Sequence, residues 1–203
     1  MKSLYVTDRQ AIGQERLAAT LEAMRGARDL AVQLRERDAT DRDYLSLARL
    51  ARERLGPEVP LYVNRRFDIA LAAEADGVHL PAAGLPVRRV KANTPRGFRV
   101  GVSTHSPAEA LRAIEEGADL LLLGPLFETP SKKAFGSPLL PRVLAELPVA
   151  AGHPAEVFVI GGIREDNLAE LEPYRDRIAG VAGIRLFQEA PDPRAVAERI
   201  ARR

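Results

Sequence analysis

Residues 99–125 read RVGVSTHSPAEALRAIEEGADLLLLGP. A short apolar run ends in Ser103, Thr104 and His105, and a second run, Leu120 to Leu123, follows after a helical stretch. The helix start is written in Ser106-Pro107-Ala108-Glu109, a capping box with proline at the first helical position. Strand, helix and strand in that order predict a parallel pair joined by a crossover helix. His105 then falls at the junction where the strand ends and the helix begins.

The same unit recurs along the chain. Eight Val-, Leu- and Ile-rich runs are found: LYVTD at 4–8, LAVQLRE at 30–36, LYVN at 61–64, GVHLP at 77–81, RVGVST at 99–104, LLLLGP at 120–125, VFVIGG at 157–162 and GVAGI at 180–184. Each interval leaves room for a helix, although the one around VRRVKA is short. Eight alternating units favour an α/β fold of the closed (β/α)8 kind, a TIM barrel, over an open doubly wound sheet. With 203 residues, such a barrel fills residues 1–203 as one compact domain with little length left for lids.

Composition removes several classes of function. The chain has no cysteine, so disulfides, thiolate catalysis, zinc ribbons and iron–sulfur clusters are excluded. Its formal charge is +2, and acidic and basic residues alternate within helical stretches such as DRDYLSLARLARER. Without a basic stripe or interleaved aromatics, nucleic acid is not an expected partner. No apolar run reaches the length of a membrane span, and MKSLYVTD lacks the form of an export signal, so no membrane partner is expected and the cytoplasm is the expected compartment.

In a barrel of this kind the C-terminal ends of the strands build the site. Polar residues there are Asp8, Gln33, Arg35, Arg37, Asn64, His79, Ser103, Thr104 and His105. Each has a plainer reading too: Asp8 could cap a helix, Asn64 could turn the chain, and His79 could be a satisfied core residue. An imidazole at the rim can give or take a proton near neutral pH, which makes His105 the catalytic candidate, with a hydrogen-bonding loop histidine as its plainer reading. Paired glycines Gly161 and Gly162 at the seventh strand end, then Gly183 and Ile184 at the eighth, suggest backbone N–H groups for a phosphate. The loop GPLFETPSKKAFG at 124–136 carries Thr129, Ser131, Lys132 and Lys133, which suit an anion. His153 precedes the seventh strand, at the opposite end of the barrel, and is expected at the surface.

The motifs VQLRERD at 32–38, VNRRFDIAL at 63–71, ADGVHLPAAG at 75–84, GVSTHSPAEALRAIEEGADLLLLGPLFETPSKK, IGGI and the final GVAGI resemble, in order, those of the thiamine phosphate synthase/TenI family. The resemblance spans essentially the whole chain. It implies a (β/α)8 barrel that handles thiazole phosphates in thiamine biosynthesis, and a homodimer. Two activities occur in that family. The synthase joins a pyrimidine diphosphate to thiazole phosphate with Mg²⁺, held by the Asp of an NDR motif and the last Asp of HLGQxD. Here those positions are Arg65 and Gly84, the motif's Gln is Ala82, and the synthase Lys of REK is Arg37. Loss of both carboxylates removes the charged ligands that a hard cation wants, and an arginine repels it.

The TenI-like thiazole tautomerases need no metal, and they convert the ylidene form of carboxythiazole phosphate into the aromatic ring. Their histidine lies in an S-x-H-S segment, which here supplies His105. The departures therefore point to a thiazole tautomerase, an isomerase with no cofactor and no metal site. Arg35 with Lys132 or Lys133 would pair with the substrate carboxylate, and Gly162, Gly183 and Ile184 would hold its phosphate. Arg37, Ser103, Thr129 and Ser131 are further expected substrate contacts, as are Gln33 and Asn64, which either orient the ring or are retained rim polar groups. A divergent synthase, or a non-catalytic binding or regulatory protein for thiazole or thiamine phosphate, stays open as an alternative.

Overall fold

A computed structural model describes residues 1–127, 144 and 154–203. Eight strands form its centre: β1 (Lys2–Val6), β2 (Leu30–Leu34), β3 (Leu61–Asn64), β4 (Gly77–Leu80), β5 (Arg99–Thr104), β6 (Leu120–Leu123), β7 (Glu156–Ile160) and β8 (Gly180–Gly183). All neighbours are parallel and sequential, and β1 pairs with β8 to close the barrel. The closed (β/α)8 reading holds, and each apolar run became a strand.

Helices cover the outside: α1 (Arg9–Ile12), α2 (Gln14–Ala23), α3 (Asp41–Leu55), α4 (Phe67–Ala72), α5 (Val87–Lys91), α6 (Pro107–Glu115), α7 (Arg185–Gln188) and α8 (Pro193–Ala201). The capping residue of α6 is as expected, since Ser106 Oγ accepts from the Glu109 N–H at 3.2 Å. The Glu109 carboxylate reaches one residue further back than a capping box requires and accepts from the His105 N–H at 2.7 Å. The stretch after β7 differs from the helix expected at REDNLAEL, because residues Glu165–Tyr174 form a 3₁₀ helix with Pro173 inside it.

Both faces of the sheet are apolar, which explains why the strands read as continuous runs rather than alternating ones. Val32, Leu34, Val63, Val78, Val100, Leu121, Leu123, Val159 and Val181 belong to the layer between sheet and helices. Leu4, Val6, Ala31, Tyr62, Leu120, Leu122, Phe158 and Ala182 fill the barrel itself. The N-terminal end of the barrel is tied by Glu156, which pairs with Lys2 and with Arg99, the latter at 2.5 Å.

Along β2 to β5 the inward positions turn polar toward the C-terminal end: Gln33 follows Ala31, Asn64 follows Tyr62, and His79 and Ser103 face each other at 2.9 Å. The polar side chains thus begin inside the packed barrel and lead outward to its mouth. His79 is 1% exposed. Burial, and secondarily the charge of Arg35, push its imidazole down to about 3, so the ring is neutral at physiological pH.

Two outcomes follow from this packing. Phe158→Ala removes a ring from a filled interior and should cost about 3–5 kcal/mol in urea unfolding. The depressed pKa of His79 contributes stability that is present above the ordinary histidine value and is lost as pH falls toward 3. Stability of the protein relative to His79→Gln should therefore decline as pH drops below about 6.5, by at most about 1.4 kcal/mol per pH unit. A flat difference between pH 6.5 and 4 would contradict the buried neutral ring.

Candidate functional site

The C-terminal ends of the strands bring the expected residues onto one rim. Gln33 is buried at the end of β2, and its Nε2 donates to Asn64 Oδ1 on β3 at 3.2 Å. Its own Oε1 has no partner among the described residues. The Asn64 N–H donates to the Tyr44 hydroxyl at 3.0 Å, and that hydroxyl donates to the Leu34 carbonyl at 2.7 Å. Tyr44 of α3 thus holds the ends of β2 and β3 together, and the plainer turn reading of Asn64 is only part of its role.

Arg35 follows directly after β2 and is half-buried. Burial, then the neighbouring charge of Arg37, lowers its affinity for a proton below that of an ordinary guanidinium. Asp8 and Glu36 act on its charge from nearby, but no carboxylate forms an ion pair with its guanidinium among the described residues. Arg37 is exposed beyond it. Arg65 is exposed too, with φ at +68°, and its N–H donates to the His79 carbonyl at 2.8 Å.

His105 follows β5 and is exposed. Its Nδ1 lies 2.6 Å from the carbonyl oxygen of Gly124, at the end of β6. A carbonyl only accepts, so Nδ1 carries a proton and donates, and in the neutral ring the lone pair is on Nε2. The neighbouring strand end thereby sets which nitrogen is basic.

On the other side of the mouth, Gly161 and Gly162 have φ of +106° and +68°. Gly161 has a second reason to lack a side chain, because a Cβ there would stand 2.8 Å from Pro125 Cα. The Gly162 carbonyl accepts from Asn167 Nδ2 at 2.9 Å, and Asn167 Oδ1 accepts from the Arg164 N–H at 2.9 Å, which fastens the turn. The N–H groups of Gly162 and Ile184 donate to no acceptor among the described residues. Gly183 ends β8 and Ile184 leads into α7. Thr129, Ser131, Lys132, Lys133 and His153 lie outside the described residues.

A second network at the rim was not anticipated. Glu36 is 3% exposed, and its carboxylate accepts from Thr7 Oγ1 at 2.5 Å and from the Arg9 N–H at 2.9 Å. Thr7 Oγ1 in turn accepts from the Arg35 N–H at 2.9 Å. Burial raises the Glu36 carboxyl above its usual range, against these donors. From the other side Gln188 accepts from the Asp8 N–H at 2.8 Å and donates to the Asp8 carbonyl at 3.1 Å. Asp8 precedes α1 without capping it through its side chain. The signal available in the sequence was Glu36 sharing the parity of Val32 and Leu34, a carboxylate on an otherwise apolar face.

Arg65 and Gly84 offer no carboxylate to a hard cation such as Mg²⁺.

Comparison with known proteins places these features. The family model described as thiamine monophosphate synthase matches residues 4–187. A "Putative thiamine-phosphate synthase" of Geobacter sulfurreducens is 40% identical over 199 residues, covering 95% of this chain and 89% of that protein. A "Putative thiamine-phosphate synthase 2" of Aquifex aeolicus is 39% identical, covering 91% and 96%. Among solved structures, a thiamine phosphate pyrophosphorylase from Pyrococcus furiosus superposes with a TM-score of 0.81 at 28% identity, covering 99% of this chain and 94% of that one. The chain belongs to the thiamine monophosphate synthase/TenI family.

Proposed function

We propose that this chain binds a thiazole phosphate and acts on it by proton transfer, as a thiazole tautomerase in thiamine biosynthesis. The observation that carries the reading is the Nδ1 contact of His105 with the Gly124 carbonyl at 2.6 Å, which leaves a basic Nε2. In the ylidene carboxythiazole phosphate, ring C2 carries an acidic proton beside the carboxylate. His105 Nε2 would take that proton, and the imidazolium so formed would keep its Nδ1–H on the carbonyl. The same Nε2–H would then protonate the exocyclic carbon, so that one proton moves, no atom is gained or lost, and the ring becomes aromatic. Arg35 would pair with the substrate carboxylate, and the N–H groups of Gly162 and Ile184 would receive the phosphate.

A divergent thiamine phosphate synthase is the second reading, and the comparisons favour it over the tautomerase, because the relatives carry synthase names. Against it stand Arg65 and Gly84, at the positions where the family's metal carboxylates are expected. Given pyrimidine diphosphate, thiazole phosphate and Mg²⁺, the purified protein should form little thiamine phosphate; robust formation would establish the synthase. Under the proposed function, His105→Asn should lower kcat for carboxythiazole phosphate aromatisation by about 10²-fold or more, with binding of the phosphate retained. Full activity in that variant would remove His105 from the chemistry.

A further inference from the structure

The buried His79 is not used by the chemistry above, yet it touches a residue at the mouth. Its register partner on β5 is Gly101, where a Cβ would stand 2.6 Å from His79 Nδ1. The missing side chain lets the ring lie across β5, with Nε2 reaching Ser103 Oγ at 2.9 Å. Ser103 is half-exposed and Oγ has no other partner among the described residues. His79 Nδ1 has no hydrogen-bond partner there either.

A neutral imidazole carries one proton on one of two nitrogens. On Nδ1 that proton would be a donor with no acceptor in a buried position, whereas on Nε2 it completes a hydrogen bond. We infer that His79 is held as the Nε2–H tautomer, donating to Ser103 Oγ, so that the Ser103 hydroxyl proton is directed to the ligand. His79 is thus a positioning residue, and Ser103 meets the ligand as a donor. The ligand group it meets must be an acceptor, and the half-buried positive charge of Arg35, which is felt at His79, favours an anion there. Resting on the proposed function, the group is the carboxylate of carboxythiazole phosphate. The two histidines of the described residues then hold opposite tautomers, Nδ1–H at His105 and Nε2–H at His79.

Long-range ¹H–¹⁵N correlation spectra of the full ¹⁵N-labelled chain at pH 7.5 report each tautomer directly. The expected pattern is Nε2–H for His79; an Nδ1–H pattern overturns the inference. Calorimetry with carboxythiazole phosphate and with the decarboxylated thiazole phosphate reads the consequence. Ser103→Ala should weaken the carboxylated ligand about 10-fold or more, the effect of losing a hydrogen bond to a charged group, and the decarboxylated one less than about 2-fold. His79→Gln, which keeps a donor near the Nε2 position, should bind within about 3-fold of the unaltered chain. His79→Leu should match Ser103→Ala, and the double variant should be no weaker than either, because both remove one interaction. Equal losses for both ligands, or additive losses in the double variant, overturn it. Failure of the unaltered chain to bind carboxythiazole phosphate overturns the carboxylate assignment together with the proposed function, whereas binding with the wrong tautomer overturns this inference alone.

Discussion

Closure of the barrel by the pairing of β1 with β8 is the constraint on which the rest of this structure depends. In a closed parallel sheet every strand has a neighbour on both sides, so the ladder uses backbone groups along the strands and frees them only at the ends. At the C-terminal ends those free groups face one another across the mouth. The Gly124 carbonyl is one of them, and it accepts a hydrogen bond from His105 Nδ1. The N–H groups of Gly162 and Ile184 are others, and they are available to an anion. The chemistry of the rim is therefore partly backbone chemistry, supplied by the geometry of closure.

The interior changes character along its axis for a related reason. At one end, Glu156 neutralises Lys2 and Arg99; in the middle, Phe158, Leu120, Leu122 and Tyr62 fill the volume. Toward the mouth the same inward parity delivers Gln33, Asn64, His79 and Ser103, which satisfy one another in pairs. Paired polar groups tolerate burial, and Gln33 Oε1 keeps no partner among the described residues.

The relatives carry synthase names, while Arg65 and Gly84 bear on the reaction. A synthase brings a diphosphate to the mouth and needs a metal ion to neutralise it; Arg65 after β3 is exposed and repels a metal ion rather than binding one. Proton transfer needs no such neutralisation. It needs one nitrogen whose basicity is fixed and a substrate held still beside it, and both are requirements that hydrogen bonds can meet. The synthase names of the relatives and the charge pattern of this rim thus pull in different directions, and the reaction itself decides between them.

The eight strands, their order and the position of His105 at a rim were legible in the amino-acid sequence, because each rests on local patterns: apolar runs, a capping box, glycines after a strand. The 3₁₀ helix after β7 was not, since the apolar spacing of so short a stretch does not separate i→i+3 from i→i+4 bonding. Nor was the Glu36 network, although its parity offered a hint, because Thr7 and Glu36 are 29 residues apart and meet only when β1 and β2 pair. The same holds for the protonation of the two rim histidines. His105 meets Gly124 across 19 residues and His79 meets Ser103 across 24. The sequence by itself determined which residues reach the mouth, through strand period and order; only the tertiary structure decided which nitrogen of each imidazole is free, because a tautomer is chosen by the partner that folding places beside it.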